Sequence, residues 1–318
     1  MLHAIITGYR TEGEKRMKRV FVAGGASFDS VVHVNSFFKP KAQTVFSHGL
    51  HEITGGTGAG KALNLARLGF DTRFHYFAGR DRYGAEIRRS LVNSGVHPIR
   101  TLDPAGTERH FNIMEDSGDR ISIYTAYSTF DPAIPQPLLG QLEREIARAD
   151  YAVLNIINYV RRLIPLARKH GIPVWCDIHD WDGNNPYHED FISGADRIFM
   201  SSDQMKEGYR AFMERMIDSG KDLVVCTHGK SGSTALTREG KWLEVPALSF
   251  EQKDTNGAGD SFFSGFLYAF SRGADTETAL RYATVAGGLC VTSPELVHPE
   301  LSGPYLEEEF RRRYPARN

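Results

Sequence analysis

The residues with the clearest chemical potential lie late in the chain, in Asp254-Thr255-Asn256-Gly257-Ala258-Gly259-Asp260. Two glycines around an alanine permit a tight turn that exposes consecutive N–H groups. Phe262, Phe263, Phe266, Leu267 and Phe270 follow at helical spacing, so a helix with a buried face starts here. Unpaired N–H groups and the positive end of the helix dipole then point the same way, which suits an anion such as phosphate. Asp260 falls in the first turn. A carboxylate beside a phosphate site is placed to accept the proton of an attacking hydroxyl. A capped helix behind a flexible loop is the simpler reading of the same residues.

A second acid stands near the start. Val20-Phe21-Val22-Ala23-Gly24-Gly25 reads as a buried strand ending in glycines, with Asp29 a few residues on. Ligands of open α/β sheets collect at the carboxyl ends of strands. A carboxylate there can accept hydrogen bonds from two neighbouring hydroxyls of a polyol, and a local turn is the plainer role. Gly55-Gly56-Thr57-Gly58-Ala59-Gly60-Lys61 has the spacing of a phosphate loop. However, Ala62 stands where such a loop needs Ser or Thr, and residues 47–52 do not read as a buried strand. The glycines suit close approach of backbone to a substrate instead, ahead of a helix over Ala62 to Leu68. Thr227-His228-Gly229-Lys230-Ser231-Gly232 ends a strand with hydroxyls and glycines that can meet phosphate or ribose, or form a plain hairpin turn.

The elements around these motifs alternate. Strands at 151–155, 173–177, 197–200 and 223–227 are separated by helical patterns, the mark of a parallel sheet with crossover helices. Two segments, about 31–50 and 107–129, read as strand pairs that leave this sheet and form a small β lid. The second carries a good hairpin turn at Glu115-Asp116-Ser117-Gly118. A net charge of −1 gives no electrostatic reason to expect nucleic acid or a membrane surface as partner. Cys176, Cys226 and Cys290 are far apart and offer no disulfide framework, which suits a reducing, cytoplasmic setting. Residues 1–16 hold no sustained apolar core, so a secretory leader is not expected. Met17 directly precedes the first convincing strand, so 1–17 reads as an N-terminal extension and Met17 as a possible start.

Together these pieces resemble the ribokinase-like (PfkB) carbohydrate kinase family. Asp254 to Asp260 matches that family's C-terminal signature in full. Gly55 to Ala59, with Arg67-Leu68-Gly69, matches most of the N-terminal one. Asp29, Gly79 with Asp81 and Gly84, Asp177, and Thr227-x-Gly229-x-x-Gly232 occur in the family's order. The resemblance implies one doubly wound, mostly parallel α/β domain over 18–318, flanked by helices and carrying the lid. It also implies transfer of the γ-phosphate of ATP to a hydroxyl of a sugar or sugar-like polyol. By that similarity Asp260 is the base, and the N–H groups of Gly257, Ala258 and Gly259 stabilise the moving phosphoryl group. Asp29, Gly55, Gly56, Thr57 and Gly60 hold the acceptor. Thr227, Gly229, Gly232, Gly259 and Thr284 meet the nucleotide. Magnesium arrives with ATP, and some members bind a monovalent cation such as K⁺ near the residue matching Asp254 and the segment matching Cys290 to Glu295.

Three positions depart from the family pattern. Gly60 replaces a usual Asn. Ser201-Ser202-Asp203-Gln204 replaces Asn-x-x-Glu, leaving Gln204 to orient magnesium-bound water without adding charge, or Asp203 or Glu207 to take over. Glu295 stands where Gly is common. Two other functions fit the same motifs. One is a nucleoside kinase, with Phe37, Phe38, Phe111 or Phe130 stacking on a base. The other is a kinase-fold protein that binds a ligand without catalysis. The lid strands also suggest a homodimer formed through the lid.

Overall fold

A computed structural model describes residues 16–205 and 208–315. The expected N-terminal extension lies outside the described residues except for Arg16 and Met17, and so does Glu207. Strand β1 (Arg19–Ala23) enters the centre of the main sheet. β2 (Ser27–Val34) and β3 (Gly49–Gly55) then leave it, and α1 (Thr57–Arg67) returns the chain to β4 (Asp71–Ala78), α2 (Arg82–Asn93) and β5 (His97–Leu102). A second excursion, β6 (Arg109–Glu115) and β7 (Arg120–Ala126), joins the first. Then α3 (Gln136–Ala147), β8 (Tyr151–Leu154), α4 (Ile164–Lys169), β9 (Val174–Asp177), α5 (Glu189–Gly194), β10 (Arg197–Ser201), α6 (Tyr209–Asp218) and β11 (Leu223–Thr227) alternate. A hairpin of β12 (Ser233–Thr237) and β13 (Trp242–Val245) precedes α7 (Ala258–Ser271), α8 (Thr276–Cys290) and α9 (Gly303–Arg313).

The main sheet runs β13-β12-β11-β10-β9-β8-β1-β4-β5. It is parallel from β11 to β5, and the last hairpin closes its far edge antiparallel. Strands covered on both faces need apolar side chains pointing both ways, and β1 has them. Val20 and Val22 pack into the core shared with α1, α7 and α8. Phe21 and Ala23 pack into the core shared with α3, α4 and α6. The strand order reverses at β1, whose neighbours are β8 and β4. Helices on either side of that point leave opposite faces, and a crevice opens beyond the carboxyl ends of the strands.

The lid is a separate sheet in the order β3-β2-β6-β7. Its first half differs from expectation. Residues 35–48 were expected to supply strand, but they form none, and Phe46 is 88% exposed. Lys39-Pro40-Lys41 breaks the run, and the strands lie outside it, starting at Ser27 and ending at Gly55. β5 and α9 carry no clear signal in the sequence. β5 reads His-Pro-Ile-Arg-Thr-Leu because it is an edge strand of mixed exposure.

Candidate active site

The carboxyl ends of β1, β8, β9, β10 and β11 face the lid across a cavity of about 840 Å³. Asp29, Asp177, Thr227, Gly257, Gly259 and Asp260 all line it. Two acids that are remote in sequence therefore share one cleft.

The signature loop enters α7 without a side-chain cap. Gly257 takes that position in the left-handed region, φ 78°, and a Cβ there would lie 2.3 Å from the Leu296 carbonyl oxygen. The expected trio of free N–H groups is reduced. Ala258 already donates to the Thr255 carbonyl at 3.2 Å, while among the described residues the N–H groups of Gly257 and Gly259 have no acceptor. The lid tip is tied to this loop. Arg120 donates to Asn256 Oδ1 at 2.7 Å, Thr255 Oγ1 to the Gly118 carbonyl at 3.1 Å, and Gln252 Nε2 to the Ser117 carbonyl at 3.1 Å.

Asp260 is 7% exposed and its Oδ1 lies 2.6 Å from Lys61 Nζ. Lys61 is wholly buried and also sits 3.0 Å from Asp177 Oδ2. Burial opposes the charge on Lys61, but the two carboxylates outweigh it and hold the ammonium charged. Asp177 shifts below the usual range, because Lys61 and His179 outweigh its burial. Asp260 moves up: its burial, with Asp177 adding, exceeds the help from Lys61. Gly60 lies against this group, since a Cβ there would come 2.2 Å from Asp260 Oδ2. The usual Asn therefore has no room here, and Gly60 borders the base rather than the open cleft.

Asp29 lies on lid strand β2 rather than in a loop after β1. Its Oδ2 accepts from Asn112 Nδ2 at 3.3 Å. Its Oδ1 faces His110 Nδ1 at 3.3 Å without hydrogen-bond alignment, so a ligand hydroxyl can still donate to that buried oxygen. Gly55 makes room for the carboxylate, as a Cβ there would fall 2.1 Å from Asp29 Oδ2. Gly56 and Thr57 line the cleft at the start of α1. His110 also pairs with Glu108 at 3.2 Å. Its burial disfavours the charge, but Asp29 and Glu108 outweigh that and lift its pKa to about 9. This folded value exceeds the ordinary 6.5, so the pairing stabilises fully below pH 6.5 and is lost as pH rises through about 9. The stability difference between the parent and His110→Gln in urea unfolding is therefore expected to shrink across that window. A difference independent of pH would exclude a charged His110.

At the other end, Phe199, Met200, Ser201, Asp203 and Thr227 line the cleft. Gly229, Gly232 and Thr284 do not. Thr284 donates to the Leu280 carbonyl within α8, and Gly232 abuts the Val245 carbonyl. Gln204 is exposed and away from the lining, so Asp203 is the acidic group that this segment brings to the cleft, beside the Ser201 hydroxyl. Phe37, Phe38, Phe111 and Phe130 do not line it either. Asp254 is 1% exposed; Asn256 N–H donates to its Oδ1 at 2.7 Å, while its buried Oδ2 has no partner. Its burial pushes its pKa up. Among the described residues, no group of three or more His, Cys, Asp and Glu is arranged to hold a metal, and no helix is long and apolar enough to cross a membrane.

Sequence reasoning did not find Lys61, Glu108, His110 or Asn112 as site residues. Lys61 had a usable signal. It interrupts the apolar run of Ala59, Ala62, Leu63 and Leu65 on a buried helix, and a buried ammonium requires counter-charges.

The chain is a doubly wound α/β protein whose switch-point crevice brings two acids together with a glycine turn in which, among the described residues, two N–H groups lack an acceptor. The profile of the pfkB family carbohydrate kinases matches residues 17–301, and the chain belongs to that family. It is 30% identical over 280 residues to the acarbose 7(IV)-phosphotransferase of Actinoplanes sp., covering 86% of this chain and 92% of that one. It is 29% identical over 293 residues to the ribokinase of Bacillus subtilis, covering 87% and 94%. Among solved structures, the microbiome-derived acarbose kinase Mak1 matches with a TM-score of 0.83 at 28% identity, over 93% of this chain and all of that one. Family membership makes this protein a kinase with a hydroxyl acceptor and ATP as its donor, typically with magnesium.

Proposed function

We propose that this protein transfers the γ-phosphate of ATP to one hydroxyl of a sugar or sugar-like polyol, with Asp29 gripping the acceptor and Asp260 receiving its proton. The observation that carries this reading is the shared cleft: both acids line it together with the unpaired N–H groups of Gly257 and Gly259. As the acceptor oxygen bonds to phosphorus, the bond from phosphorus to the bridging oxygen breaks and ADP leaves with the electron pair. The hydroxyl proton passes to Asp260. Gly257 and Gly259 donate to the oxygens of the moving group, where charge must be stabilised. Asp29, given room by Gly55, accepts from neighbouring hydroxyls, with Gly56 and Thr57 bringing backbone close, and the lid keeps out water that would compete as acceptor. Thr227, at the head of the Gly229–Gly232 turn, serves the nucleotide end.

Magnesium arriving with ATP would supply neutralising charge, and the Asp203 carboxylate, which lines that end of the cleft, would offer it a hard oxygen donor. The unpartnered buried Oδ2 of Asp254 fits a monovalent cation such as K⁺ behind the loop. The outer lid strand β7, with Ile121 and Ile123 each 44% exposed, supports a homodimer through the lid. The test is acceptor-dependent ADP release across a panel of hexoses, pentoses, ketoses, larger oligosaccharides and nucleosides. A sugar or polyol is expected to drive turnover. Turnover with nucleosides alone would replace the sugar reading. ATP consumption without dependence on any acceptor would favour the binding-protein reading.

A further inference from the structure

Lys61 extends from the second turn of α1 into the contact between α1 and α7 and is wholly buried. Its ammonium group touches the carboxylates at the ends of two other elements, Asp260 at 2.6 Å and Asp177 at 3.0 Å, and stands 5.3 Å from the centre of the Phe263 ring. Gly60 completes the arrangement, because any larger residue would collide with Asp260 Oδ2. Gly60 and Lys61 thus form a matched pair: one vacates the space that the carboxylate occupies, and the other supplies the charge that it meets there.

We infer that Lys61 is a positioning residue for phosphoryl transfer, fixing the direction of the Asp260 carboxylate and keeping it ionised, with Asp177 as the second carboxylate on the same ammonium. This rests on the reading of Asp260 as base. Two carboxylates in one buried site repel each other, and one of them takes up a proton unless a cation lies between them. A protonated Asp260 has no room for the proton of an acceptor hydroxyl. The groups facing Asp260 are Lys61 from α1, Asp177 and His179 from the end of β9, and Cys290 from α8. Of these, Lys61 alone brings a permanent positive charge into contact with it. His179 sits further off, 3.6 Å from Asp177, in the left-handed backbone region at φ 54°.

The experiment is the pH profile of kcat for the full chain and for Lys61→Gln, Lys61→Arg and Asp177→Asn, with folding checked by circular dichroism. Lys61→Gln is expected to lower kcat near neutrality on the order of a hundredfold. Its acidic limb should move up by about one pH unit or more, so that alkaline buffer recovers up to about tenfold of the loss per unit moved, the remainder being the lost orientation of the carboxylate. The KM for ATP should stay close to that of the parent. Lys61→Arg should keep the limb near its parental position. Asp177→Asn should move it down, since the competing carboxylate is gone; this variant carries the test if Lys61→Gln does not fold. A folded Lys61→Gln or Asp177→Asn enzyme with the parental acidic limb would overturn the inference. Its failure is separable from failure of the base assignment. If Asp260→Asn retains turnover, the base reading falls. If Asp260→Asn is inactive and the limb is unmoved in the Lys61 and Asp177 variants, only the role of Lys61 falls.

Discussion

Asp260→Asn is expected to lower kcat by about three orders of magnitude, within the range that positioned proton transfer contributes. Binding of ATP and acceptor should remain. The substitution keeps the shape of the side chain and removes only its capacity to take a proton. It should not unfold the protein. Lys61 retains Asp177 at 3.0 Å, and the cluster loses a negative charge that was unfavourable to bury. The neighbouring donors at Gly257 and Gly259 belong to the backbone and are untouched. Rapid-quench turnover combined with calorimetric titration of each substrate separates the two effects. A kcat within tenfold of the parent would remove Asp260 from the chemistry.

The second large effect is expected at the other acid. Asp29→Ala removes a buried carboxylate whose oxygens are available to acceptor hydroxyls. Hydrogen bonds to a charged group are worth about 1.5–3 kcal/mol each. Two of them make the acceptor's kcat/KM fall by a factor on the order of a hundred to ten thousand, at about 1.4 kcal/mol per tenfold. The KM for ATP should change little, because Asp29 lies on the lid while Thr227 and Ser201 lie at the other end of the cleft. Steady-state kinetics with each substrate varied in turn gives the comparison. Equal losses on both substrates would make Asp29 a brace for the lid rather than a grip on the acceptor.

The alternating core was legible because the inner parallel strands, unlike β5 at the edge, are buried on both faces and stop at a glycine, proline or polar turn. The β11–β13 region, with Leu223–Thr227, Ser233–Thr237 and Trp242–Val245, follows its apolar pattern closely. The lid was less legible, since Phe37, Phe38, Val45 and Phe46 imitate strand yet line a loop. The true strand begins at Ser27, immediately after the sheet strand, with no punctuation but glycine and alanine. The acids of the cleft could be read because each sits in or near a glycine-rich turn. Their partners could not. Lys61 meets Asp260 across 199 positions of chain and Asn112 meets Asp29 across 83. Local spacing carries no trace of pairings that only the closed sheet creates.

The hydrogen bonds from Gln252, Thr255 and Arg120 make the lid's hairpin tip and the loop that enters α7 a single mechanical unit. A ligand that contacts the lid and a ligand that contacts the loop therefore act on the same unit. Thermodynamic reciprocity then requires that whatever factor the acceptor imposes on the equilibrium binding of the nucleotide, the nucleotide imposes on the acceptor.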